Sequence, residues 1–258
     1  MKNLLKTLPI VVALGLASVS NAQITYNGNG NNGFGGPIGN AILSIIDDGT
    51  TVTFNLSNPG GIPFSGNDAF VLYLDTVAGG LNSTATLNDT GDTLRRAISN
   101  IGSAAINFAA GFTADKAIGV KPFGTNNGFA GLWNLTGSPT NLPFIATSTT
   151  GTNGLTPETG GQNSYTWSFT LAQLGISPGA SFNFVGIYLN AQDSFGNTFL
   201  SNEGFGNGLP NTNPGTGTAT FTNFLTYTTI PEPSTYALIV GGLALLYFVV
   251  RRKATSQV

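Results

Sequence analysis

The chain has 258 residues, with nine Lys and Arg against eleven Asp and Glu, and it contains no Cys and no His. With the initiator as its one Met, this inventory excludes Cys and His nucleophiles, Ser-His-Asp triads, His or Cys zinc centres and Met/His haem ligation. Nucleic acid is excluded as a partner too: between Gln23 and Ile230 the only cations are Arg95, Arg96, Lys116 and Lys121, against ten acids, and phosphate binding needs clustered Lys and Arg.

Residues 1–22 read as a secretory signal peptide. Lys2 and Lys6 supply its positive start, Leu8 to Val19 its apolar stretch, and Ser20-Asn21-Ala22 the small residues that a signal peptidase requires. Cleavage is expected between Ala22 and Gln23. Residues 23–230 then form one domain of roughly 200 residues, large enough to fold without disulfides.

Several runs in that span alternate apolar and polar residues with period two between Gly, Pro, Asn or Asp, as half-buried strands do. The stretch "AILSIIDDGTTVTFNLS" holds two such runs around Asp48-Gly49, a tight-hairpin signal, with Val52, Phe54 and Leu56 on one face. "DAFVLYLD" is apolar on both faces and is expected to be a central strand. Further strands are expected in "KAIGV", "FAGLWNL", "LPFIATS", "SYTWSFTL", "SFNFVGIYLN" and "GTATFTNFLTYT". "DTLRRAIS" is the one helical turn of the first half, with Asp92 as its cap. About nine strands with little helical periodicity predict an all-β fold, a single β-sandwich of jelly-roll type. The Gly- and Asn-rich "NGNGNNGFGGPIGN" and "NEGFGNGLPNTNPGTGT" read as solvated loops. Neither has the strand and helix that would flank a phosphate loop.

From Tyr165 to Asn190, "YTWSFTLAQLGISPGASFNFVGIYLN" places a strand, a short turn at Leu174-Gly175-Ile176, Pro178-Gly179 and a second strand in succession. This stretch, with "DAFVLYLDT" and "GFTADKAIGV" before it, resembles the region shared by DOMON-like domains and family-nine carbohydrate-binding modules. The resemblance spans Asp68 to Asn190 and implies a ligand-binding β-sandwich without catalysis. Its haem-binding branch has no His or internal Met here to ligate iron.

Candidate site residues follow from chemistry. Trp133 and Trp167, the only tryptophans, are candidates to stack on a sugar ring, with Tyr73 and Tyr188 as rims; core packing is the competing role for each. Asp75, Asp89 and Asp92 offer oxygens to calcium, the one cofactor left open, although no Asp-x-Asp-x-Asp-Gly loop is present and turn chemistry accounts for them as well. A glycoside hydrolase needs two facing carboxylates, and only sequence-distant pairs such as Asp115 with Glu203 are on offer. The chain therefore reads as no enzyme.

At the C-terminus, residues 231–258 combine Pro231-Glu232-Pro233, an uncharged apolar run over about 235–250, and the cluster Arg251-Arg252-Lys253. The run is expected to be a transmembrane helix. Its fifteen residues from Tyr236 to Val250 span about 22 Å, short of the roughly 30 Å hydrocarbon core unless the flanks enter the interface. The basic cluster stays cytoplasmic and puts the domain outside. This tripartite tail resembles the PEP-CTERM sorting signal of exopolysaccharide-producing Gram-negative bacteria. The resemblance implies recognition by an exosortase, cleavage near Pro231 to Pro233, and transfer from the inner membrane to the cell surface or matrix. The expected function is a non-catalytic, exopolysaccharide-binding surface protein; the alternative is a structural matrix or adhesion protein without a specific small ligand.

Overall fold

The computed structural model describes residues 22–60, 64, 67–121, 128–150, 156–157, 164–191 and 197–231, with 239, 241, 242 and 247. The chain divides into two units, residues 21–232 and a second unit of residues 1–20 with 233–258. Of the second unit, Ile239, Gly241, Gly242 and Tyr247 are helical. Among the described residues no helix is long and apolar enough to cross a membrane. Residues 1–21 of the expected signal peptide and most of the expected transmembrane segment, with Glu232, Pro233, Arg251, Arg252 and Lys253, lie outside the described residues.

The first unit is mostly β. One sheet has five strands in the order β1 (Ala22–Asn27), β2 (Ile42–Asp47), β3 (Thr51–Ser57), β10 (Ser164–Thr170) and β9 (Thr156–Pro157). The other runs β12 (Phe199–Phe205), β11 (Ser181–Asn190), β4 (Asp68–Asp75), β6 (Lys116–Lys121), β7 (Phe129–Asn134) and β8 (Phe144–Thr147). In this second sheet β14 (Leu225–Thr228) pairs with the start of β11. All these pairings are antiparallel; a separate ribbon pairs β5 (Ala105–Asn107) with β13 (Thr218–Thr220) in parallel.

The alternation read from sequence becomes burial. β3 alternates half-buried and buried positions, and Val52, Phe54 and Leu56 face inward with Leu43 and Ile45 of β2. Those residues join Phe70, Leu72 and Leu74 of β4, Trp167 of β10 and Phe184 of β11 in one core contributed by both sheets. At about 25 cal/mol per Å² of apolar area removed from water, such side chains each stabilise the fold by roughly 1.5–3 kcal/mol.

β4 is buried on both faces and central, as its two-sided apolar run requires. Its outer face meets a second core, with Val71 and Tyr73 against Leu94, Ile98, Phe108 and Phe112. Helix α1 (Thr93–Ser99) supplies Leu94 and Ile98; Asp92 caps it by accepting the Arg95 N–H at 2.9 Å, and Asn100 closes it at φ 55°. The turn before Gly175 is the short helix α2 (Leu171–Leu174), with a reciprocal capping box between Thr170 and Gln173.

Two expectations are corrected. "GTATFTNFLTYT" is two strands, β13 and β14, with Phe221–Phe224 turning between them. The Gly-rich stretches are solvated loops only in part: residues 207–217 are irregular and mostly exposed, but a portion of each stretch is buried. Gly36, Pro37, Ile38 and Gly39 are buried, and β12 runs through the second stretch with Glu203 fully buried. The carboxylate of Glu203 accepts four backbone N–H groups, from Phe34 at 2.6 Å, Gly36 at 3.1 Å, Ile38 at 2.9 Å and Gly39 at 3.1 Å. Glycine is what permits the wrap: a Cβ on Gly39 would lie 1.8 Å from the Asn31 carbonyl oxygen, and Gly36 sits at φ +94°.

Candidate functional site

All four candidate aromatic rings are buried. Trp167 is fully buried and stacks on Phe54 with centroids 5.8 Å apart and planes 7° off parallel. Trp133, 2 % exposed, lies over Gly119 and Gly131, whose missing Cβ atoms would come within 3.2 and 2.8 Å of its ring. Tyr73 donates its hydroxyl to the Ile98 carbonyl, and Tyr188 donates to the buried carboxylate of Asp68. A sugar-stacking platform needs an exposed ring face, and these four rings offer none. Among the described residues of the first unit, the exposed aromatic ring is Phe144 on edge strand β8, 5.4 Å from Trp133 and 47 % accessible. The signal that could have found it is its position: "LPFIATS" is a short, uncharged run entered from Pro143, as edge strands are.

The acids are spent on holding the fold. Asp75 accepts from the side-chain amide of Asn183 at 3.2 Å. Asp89 accepts the N–H groups of Gly91 and Leu142, at 2.9 and 2.6 Å, and Asp92 caps α1. Asp89 and Asp92 share Arg95, while Asp75 stands at the end of β4 with different partners. Among the described residues no three or more His, Cys, Asp or Glu are placed to hold a metal ion. The hydrolase pair fares no better. Asp115 is saturated by the N–H groups of Thr76 and Val77, the Thr76 hydroxyl and Lys116 at 2.8 Å, and Glu203 by its four backbone donors.

A different acid joins the two ends of this unit. Asp47, at the end of β2, is 1 % exposed. Its Oδ1 accepts the Gly49 N–H at 2.9 Å; Oδ2 accepts the Tyr227 hydroxyl at 2.8 Å; the Ile230 N–H lies 3.2 and 3.1 Å from the two oxygens. The Tyr227 hydroxyl also lies 2.9 Å from the carbonyl oxygen of Ala22, the residue paired with Asp47 across β1 and β2. Burial, and then the bond to Asp47, push the Tyr227 hydroxyl above the ordinary tyrosine range. The residue after Ile230 is Pro231, held against Gly179, whose own N–H bonds the Ile230 carbonyl at 3.1 Å. Ala22, through the Tyr227 hydroxyl, and Ile230, the residue before Pro231, thus meet at one buried carboxylate. Sequence reasoning placed Ala22, Gln23 and Pro231 at processing sites but missed Asp47, because an Asp-Asp-Gly turn reads the same whether or not its first carboxylate is buried.

A recessed cleft of about 320 Å³ lies between the 3-10 turn Thr84–Thr86 and the segment from Ser99 to Ala104. Its lining side chains are uncharged, and within it Asn100 is 3 % exposed with an amide nitrogen that has no hydrogen-bond partner. No known protein family, curated protein or solved structure matches the chain.

Proposed function

We propose that this chain is an exported, non-catalytic surface or matrix protein: a β-sandwich body between residues 23 and 230, released from its leader after Ala22 and sorted by the tail that begins at Pro231. One observation carries the reading. The compact unit, residues 21–232, has boundaries within two residues of the cleavage position read from the leader pattern and of the sorting motif that the PEP-CTERM resemblance implies. A structural role is favoured over stacking on polysaccharide because Trp133, Trp167, Tyr73 and Tyr188 are all core residues. Hydrolysis is disfavoured by the internal saturation of Asp115 and Glu203.

A second reading, binding of a neutral saccharide, is favoured by the uncharged cleft at Asn100, whose volume sits at the lower end of ligand pockets. Titrating the full chain in detergent with neutral and acidic polysaccharides, read by amide chemical shifts, separates the two. A flat response supports the matrix role. Saturable shifts confined to Thr84–Thr86 and Asn100 support the saccharide site.

A further inference from the structure

We infer that Asp47 and Tyr227 form a seat for a primary ammonium, the one that Gln23 acquires when the chain is cut after Ala22. The inference rests on the export reading above. Asp47 is 1 % exposed, yet it takes part in none of the ion pairs among the described residues. Its donors are the Gly49 and Ile230 N–H groups and the Tyr227 hydroxyl, so its charge is met by hydrogen bonds and leaves room for a cation to add to them.

Hydrogen counting at Tyr227 points the same way. Its hydroxyl carries one proton but faces two acceptors, Asp47 Oδ2 at 2.8 Å and the Ala22 carbonyl at 2.9 Å. While Ala22 is attached, one of these contacts is left without its proton. Hydrolysis of the Ala22–Gln23 bond adds water: the Ala22 carbonyl leaves as the carboxylate of the released leader, and the Gln23 nitrogen becomes an ammonium. That nitrogen starts about 2.3 Å from the vacated oxygen position, the separation that a C=O and a C–N bond on one carbon impose. Tyr227 then donates to Asp47 and accepts from the ammonium. Asp47 gains its cation, and no acceptor competes for the tyrosine proton. The ladder from Gln23 with Ile46 to Asn27 with Ile42 holds the new terminus at this spot.

The same geometry orders the steps. In the folded precursor the Ala22–Gln23 bond lies inside a strand paired to β2. A peptidase acts on chain that is out of its sheet, at a rate set by local opening. The leader is therefore cut before β1 docks, and docking follows on the charged terminus.

The test uses the full chain in detergent, cut by signal peptidase while unfolded in urea and then refolded. The probe is an amine-acylating reagent at neutral pH, with modification of Gln23 followed by mass spectrometry. A seated ammonium reacts on the order of tenfold more slowly than the same terminus in Asp47→Asn, one pKa unit of protection. Tyr227→Phe, which keeps the carboxylate but removes the hydroxyl that accepts from the ammonium, is expected to lose part of that protection and serves where Asp47→Asn does not refold. Equal rates in the refolded chain and in urea overturn the seat. The uncut precursor supplies a separate control. If it is cut as fast folded as in urea, the ordering fails; if it is not cut even in urea, the export reading itself fails.

Discussion

Glu203→Gln isolates the hydrogen bonds that hold the Gly-rich segment, because it keeps shape and volume while exchanging one carboxylate oxygen for an NH₂ group. In the native chain Oε1 accepts from Phe34 and Gly36, and Oε2 from Ile38 and Gly39. Whichever way the amide turns, two backbone donors meet a donor. Each unpaired buried donor costs about 1–3 kcal/mol, and the two are neighbours, so a combined loss of about 3 kcal/mol is the central expectation. For a body of this size, that lowers Tm by roughly 6–12 °C. Thermal unfolding of wild type and variant, followed by near-ultraviolet circular dichroism, measures it. Hydrogen exchange adds a local readout, in which the amides of Phe34, Gly36, Ile38 and Gly39 lose protection ahead of the β4 amides. A Tm change under about 2 °C with those four amides still protected would refute the claim that Glu203 organises the segment.

Other consequences are open to direct measurement. Trp167→Ala removes a fully buried ring stacked on Phe54 and is expected to destabilise by about 3–5 kcal/mol in denaturant titration. Asp92→Ala, which removes the cap of α1, is expected to lose about 1 kcal/mol by the same titration, and Asp92→Asn to restore most of it. Burial pushes the hydroxyls of Tyr26 and Tyr165 up to about 12, and those of Tyr73 and Tyr227 above the ordinary range. Because the folded values exceed the unfolded one, this contribution is whole below about pH 10 and is lost as pH rises from there towards about 12. Tyrosinate absorbance should therefore appear late in the folded chain and together with unfolding; a titration completed near pH 10 with the fold intact would contradict the burial.

Much of the fold was legible because burial here follows period two. β3 and β10 read directly from "TVTFNLS" and "SYTWSFT", and β4 declared its central place by having no polar face. The second core was not legible, since "DTLRRAIS" announces a helix but not which sheet face it covers. Glycine misled in the other direction. "NGNGNNGFGGPIGN" lacks the side chains that signal burial, yet their absence is what lets four amides converge on Glu203. For the site, Ala22, Gln23 and Pro231 could be named from local pattern and a family resemblance as the residues expected at the processing positions. The meeting of Ala22 and Ile230 at Asp47 depends on hydrogen bonds involving Tyr227 and Ile230, about 180 residues away, which no local pattern encodes.

The account stands most directly on where the chain goes and how it is cut. Cells of a Gram-negative host that makes an exosortase, expressing the full chain or a variant with Pro231, Glu232 and Pro233 all changed to Ala, can be fractionated and the product weighed by intact mass spectrometry. The account predicts that the wild-type product lies outside the inner membrane, begins at Gln23 and ends near Pro231 to Pro233, whereas the variant stays in the membrane with its tail attached. A wild-type product that keeps residues 1–22, or that remains full length in the same fraction as the variant, would contradict it.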